Sequence, residues 1–210
     1  MRNMTGKIAA LLMAGVAAVT LAPSASAAPL PNFRIGIQLN DGGCRTEFGT
    51  PQFTKFANFG TSATLFASDL NRFDPDCARI FLDPAFGGGL LNSNVDFRIG
   101  GRARENNGSE VGPVVFTDWA SAGGGPTDPM ISDANRFDPD EYQLFLETRP
   151  LPPGAGFSDF RFFIFARDAG EGDGPVQFTP WASQNGGPSG WAPDPNKFDP
   201  DGYVLGLEVV

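Results

Sequence analysis

The chain contains no histidine. That absence removes the Ser-His-Asp and Cys-His nucleophilic systems, in which an imidazole carries the proton. It also removes His-ligated zinc and the His-based metalloprotease motifs. Cysteine is scarce: Cys44 and Cys77 are the only two in 210 residues. Basic residues number 15 against 24 acidic ones, for a formal net charge of −9. Phosphate backbones and anionic membranes both require basic surface, so neither is an expected partner, and no stretch beyond the start of the chain is apolar enough for membrane insertion. No segment sustains an apolar period of 3.6, and 27 glycines with 19 prolines leave little room for one. Long apolar runs are missing too, with one exception at the start of the chain.

Residues 1–27 read as an export signal. Arg2 and Lys7 supply a positive start, Ile8–Leu21 an apolar run, and Ala25-Ser26-Ala27 a small-residue cleavage pattern. The run falls short of the about 20 apolar residues that a membrane span needs. A retained anchor is the alternative to cleavage. Residues 28–210 then form the secreted, extracellular protein, with 13 basic against 24 acidic residues and a net charge of −11. In an exported chain the simplest state for Cys44 and Cys77 is a disulfide. Closing that loop would contribute roughly 4 kcal/mol by chain entropy.

What the chain does have is one phrase written three times: NRFDPD at 71–76 and 135–140, and NKFDPD at 196–201. The segments FRIGIQL at 33, FRIGGRA at 97 and FRFFIFA at 160 keep the same beat. So do QFTKFAN at 52, VFTDWAS at 115 and QFTPWAS at 177. Self-similarity at a fixed period marks a multiplied supersecondary unit. Three tandem repeats of about 63 residues result, at 33–84, 97–148 and 160–210, within one domain at 28–210.

Each repeat opens and closes on alternation of period 2. Phe33, Ile35, Ile37 and Leu39 share one side, as do Phe97, Ile99, Gly101 and Ala103, and Phe160, Phe162, Ile164 and Ala166. In the closing segments Ile80 and Leu82, Tyr142, Leu144 and Leu146, and Tyr203, Leu205 and Leu207 alternate in the same way. The expected fold is all-β, a β-prism with pseudo-threefold symmetry; a β-trefoil is the alternative.

The middle of the repeat resembles the clostridial hydrophobic-W (ChW) repeat family of exported bacterial proteins. The residues that carry the resemblance are VFTDWASAGGG with YQLFLE, and QFTPWASQNGG with YVLGLE. Phe56 takes the tryptophan's place in repeat one. The resemblance implies a secreted or surface-exposed module linked to adhesion or polymer binding, and no catalytic residues.

Two sets of side chains are candidates for chemistry. The frame D-x-N-x-x-D-x-D recurs as Asp69, Asn71, Asp74, Asp76, then Asp133, Asn135, Asp138, Asp140, then Asp194, Asn196, Asp199, Asp201. Oxygen ligands at this density suit Ca²⁺, which takes about 6–8 of them, although the spacing is not that of an EF-hand. The competing reading is structural. Asp and Asn form Asx-turns, Asp-Pro keeps its first residue extended, and Phe73, Phe137 and Phe198 plug the core. No other cofactor is implied.

The second set is aromatic. Trp119 and Trp181 occupy equivalent places and read as core residues. Trp191 lies in a Gly/Pro-rich loop and has no counterpart in the other repeats. With Asp194, Asn196 and Asp201 it forms a candidate carbohydrate site, an apolar platform beside hydrogen-bonding groups. Three equivalent carboxylate frames suit a multivalent binder better than an enzyme, which needs one asymmetric pair. The expected function is therefore binding of a glycan or cell-surface polymer, without catalysis. A ligand-free extracellular scaffold is the alternative.

Overall fold

The computed structural model describes residues 30–41, 44–46, 48–68, 70, 75–85, 94–105, 108, 110–127, 129–132, 139–168, 172–193 and 200–210. Residues 1–27, expected from the sequence to be an export signal, lie outside them. The fold is all-β, in three antiparallel sheets. The first sheet holds β1 (Phe33–Asn40), β2 (Gln52–Phe53) and β4 (Cys77–Pro84). The second holds β3 (Ser62–Ala63), β5 (Val95–Arg104), β6 (Val115–Phe116) and β8 (Glu141–Pro150). The third holds β7 (Gly125–Pro126), β9 (Phe160–Asp168), β10 (Gly172–Asp173), β11 (Gln177–Phe178) and β14 (Gly202–Val209). Two further short strands, β12 (Gly187–Pro188) and β13 (Ala192–Pro193), belong to the first sheet. The helices among the described residues are three 3₁₀ turns, Ala57–Phe59, Ala120–Ala122 and Ala182–Gln184.

The opening and closing strands of each repeat pair along their length, β1 with β4, β5 with β8 and β9 with β14. Period-2 alternation then sends every residue of the expected inner faces into the molecule. Phe33, Ile35, Ile37 and Leu39 are buried, and so are Ile80, Leu82, Tyr142, Leu144, Leu146, Tyr203, Leu205 and Leu207. The three faces share one core. At one end Phe33, Phe97 and Phe160 meet with ring centroids 4.6–4.7 Å apart. Further along, volume is exchanged between strands. Leu39 faces Ala78, whereas Ala103 faces Tyr142 and Ala166 faces Tyr203. A large residue on one strand thus meets a small one on the other, as close packing demands.

The short strands cross between sheets. From repeat one, β3 pairs with β8 of the second sheet. From repeat two, β7 pairs with β14 of the third. From repeat three, β12 and β13 pair with β4 of the first. The exchange is a closed ring. Hydroxyls make it possible where two-residue strands run out. Thr64 Oγ1 accepts from Leu144 N, Thr127 Oγ1 from Leu205 N and Ser189 Oγ from Ile80 N, at 3.0–3.3 Å. The FT residues act likewise within each repeat: Thr54, Thr117 and Thr179 accept from Ile35, Ile99 and Phe162 N. Gly124 and Gly186 bring the crossing chain against the carbonyls of Leu207 and Leu82, at φ +62° and +55°. A side chain there would meet both a left-handed backbone and a carbonyl oxygen.

Cys44 and Cys77 are disulfide-bonded, with Cα atoms 5.4 Å apart. The bond ties the segment after β1 to the first residue of β4.

Candidate functional site

Asp69, Asn71, Asp74, Asp133, Asn135, Asp138, Asp194, Asn196 and Asp199 lie outside the described residues, as do Phe73, Phe137 and Phe198. The last member of each frame is described. Asp76, Asp140 and Asp201 each stand just before a closing strand; the first two are buried, the third half-buried, and all three are engaged within the protein. Among the described residues no three His, Cys, Asp or Glu side chains gather as a metal site would require.

The outer faces carry a constellation that the sequence did not announce. At one register position in every sheet an arginine of the opening strand pairs with an acid of the closing strand. The pairs are Arg34–Asp83 at 2.6 Å, Arg98–Glu147 at 2.8 Å and Arg161–Glu208 at 2.6 Å. Each guanidinium also lies over two aromatic rings. Arg34 covers Phe53 and Phe56, Arg98 covers Phe116 and Trp119, and Arg161 covers Phe178 and Trp181, at 4.0–5.0 Å. Trp119 and Trp181 are therefore not core residues, contrary to the sequence expectation; both are half-buried on outer faces. The inward places in that segment are taken by the buried threonine and by Ala57, Ala120 and Ala182, each 2 % exposed. The ring at the start of the 3₁₀ turn has only the outer side left.

Trp191 does have counterparts. Counted from the hydroxyl that anchors each crossing strand, the chain next bridges at Ala67 to Tyr142, at Ile131 to Tyr203 and at Ala192 to Ala78. Phe66, Met130 and Trp191 each precede that bridging residue. Repeat two has one extra residue between hydroxyl and bridge, and the three side chains differ in type. That combination hid the equivalence in the sequence. Trp191 is half-buried on the first sheet, over Arg79 at 4.5 Å and beside Phe48 at 5.6 Å. Phe48 itself is 47 % exposed. Of its three sequence-named companions, Asp194 and Asn196 are outside the described residues.

Beneath Trp191 the arginine pairs with an amide and not with an acid. Arg79 donates Nε–H and an Nη2–H to Gln38 Oε1, at 3.0 and 2.7 Å. Burial holds the Arg79 pKa below its ordinary value, though the group stays charged at neutral pH. Arg102 on the second sheet donates Nε–H to Gln143 Oε1 at 2.9 Å, with Phe66 at 5.2 Å. Phe66 lines a cleft of about 270 Å³ together with Thr50, Gln52 and Glu141. On the third sheet the same register pair is Phe165 and Val204.

No protein-family model, curated protein or solved structure matches this chain.

Proposed function

We propose that the chain is a secreted, non-catalytic binding module, a β-prism of three repeats whose ligand is a glycan or cell-surface polymer. The prism reading is supported by the common register of the three long strand pairs and by the closed ring of crossing strands. Secretion is supported by residues 1–27 and by the disulfide. The ChW resemblance points to the same kind of module. The observation that carries the binding reading is the Trp191–Phe48 aromatic pair, part exposed, beside a guanidinium that no described carboxylate neutralises. An aromatic face next to fixed hydrogen-bond donors is the arrangement that a sugar ring and its substituents use. Calcium is the one cofactor in this proposal, at the three acidic frames, with the purely structural turn as the alternative.

A glycan array screened with and without calcium tests this reading, alongside Trp191→Ala. The ring is only half-buried, so the variant should lose about 1–2 kcal/mol, less than the roughly 3–5 of a core tryptophan. Its glycan signal should disappear. Loss of the fold with no wild-type glycan signal would leave the scaffold reading. One observation favours that second reading: the rings of Trp119 and Trp181 are already covered by Arg98 and Arg161 of the same molecule.

A further inference from the structure

Six described arginines, Arg34, Arg98, Arg104, Arg149, Arg161 and Arg167, form ion pairs with carboxylates at 2.6–2.9 Å. Arg79 and Arg102 do not. Each is held by a glutamine carbonyl directly across the strand pair. Those glutamines are themselves fixed. Gln38 Nε2 donates to Gly49 O at 2.7 Å and Gln143 Nε2 to Thr64 O at 2.6 Å. With the amide nitrogen so engaged, Oε1 is turned to the guanidinium. A glutamine in this place orients an arginine without neutralising it, where an acid would do both. Gln38 takes the Nε and Nη2 side of Arg79, so the edge formed by Nη1 and Nη2 has no described acceptor. For Arg102 both terminal nitrogens are left. A planar fork of that kind matches a carboxylate. An aromatic ring flanks each fork, Trp191 with Phe48 at Arg79 and Phe66 at Arg102, where Arg104 already covers one face of Phe66 at 3.6 Å.

The geometry points to a ligand made of carboxylate-bearing sugars, with Arg79 and Arg102 each receiving one carboxylate while the neighbouring aromatic ring takes the sugar face. This inference rests on the polymer-binding reading and narrows it to acidic polysaccharides. Two forks on adjacent sheets favour a polymer over a single sugar, because the second contact is made at high effective concentration. The protein's own negative charge does not forbid such a ligand. At physiological ionic strength charges beyond about 8 Å are largely screened, so the local fork decides.

The test measures binding of an oligogalacturonate to the mature protein by calorimetry, beside the same oligomer fully methyl-esterified. The ester keeps the sugar ring and removes the charge. We expect the acid form to bind at least about tenfold more tightly. Arg79→Gln and Arg102→Gln should each weaken it by about tenfold with the melting temperature nearly unchanged. Gln38→Glu guards against a folding artefact. It supplies Arg79 with the internal carboxylate found at the six ion-paired arginines, so binding should fall while stability holds or rises. Equal binding of acid and ester would overturn the inference and leave a neutral-glycan reading standing. Acid-specific binding untouched by all three variants would also overturn it. If neither form binds, and no neutral glycan on the array does, both this inference and the polymer reading fall.

Discussion

At the residue scale, the position before Phe33, Phe97 and Phe160 shows how little chemistry holds a 3₁₀ turn in place. Asn32, Asp96 and Asp159 are equivalent. Each accepts from the backbone N–H of the next residue, Phe33, Phe97 or Phe160, and from a backbone N–H in the turn that crosses it, Asn58, Ser121 and Ser183 in order. Asp96 does most. Fully buried, it also accepts from Arg149 Nε at 2.9 Å and from the Ser121 hydroxyl. We expect Asp96→Ala to cost about 3 kcal/mol, since it orphans one buried and one part-buried N–H group and an arginine. Asp96→Asn should cost about 1 kcal/mol, because the natural amide of Asn32 already accepts the same two backbone bonds at 3.1 Å. Urea midpoints of the two variants check the contrast, and equal losses would contradict it. Residues of this kind were only partly legible in the sequence. Which side of a strand Phe33 or Leu205 faces follows from alternation alone. That Trp191 corresponds to Phe66 and Met130 does not, because an inserted residue and three unlike side chains erase the pattern that three-dimensional pairing restores.

Elements divide along the same line. Strands of eight to ten residues, such as β1, β5 and β8, carry enough alternation to be read directly. The two-residue strands β3, β7 and β12 carry none. Their partners lie in another repeat, so neither pairing nor sheet membership could be inferred locally. A single buried hydroxyl at Thr64, Thr127 or Ser189 does the positioning, and sequence comparison shows it only as a recurring Thr or Ser. The disulfide was legible, since two cysteines leave one pairing. It closes a separation of 33 residues that includes the crossing strand β3. Replacing both cysteines by serine should lower stability by about 2–4 kcal/mol, visible as a lower melting temperature that dithiothreitol no longer changes. At the edge of the third sheet, Asp173 on β10 is bonded by Arg167 at 2.6 Å. That hydrogen bond is the main reason its pKa lies below the ordinary 3.8. A depressed carboxylate stabilises the fold above its unfolded pKa, and the contribution is lost as pH falls through the folded value. Both groups are well exposed, so the loss below about pH 4 should be a few tenths of a kcal/mol at most. Amide exchange at β10 read from pH 5 down to 3, against Asp173→Asn, should show the edge strand loosening in the wild type only.

For the whole molecule the decisive feature is that no repeat completes its own sheet. Repeat one gives β3 to the second sheet, repeat two gives β7 to the third, and repeat three returns β12 and β13 to the first. The core repeats the arrangement in side chains. Phe33, Phe97 and Phe160 touch one another in all three combinations, so removing any one exposes the other two. A linear array of repeats that contact only neighbours would lose stability in steps as units are deleted. A closed ring should not. A chain ending at 150 lacks β9, β10, β11 and β14 and the strands that finish the first sheet. It leaves the edge of β4 unpaired and the inner faces of two sheets open to water. We expect this truncated protein to show no cooperative melting transition and to self-associate through its open edges. The wild type should melt in a single transition. Phe160→Ala in the full chain separates loss of the third sheet from loss of one ring. It should retain a single cooperative transition, shifted by about 3–5 kcal/mol. A two-repeat fragment that melted cooperatively on its own would show that the crossing strands are ornament to independently stable units, and the ring description would have to go.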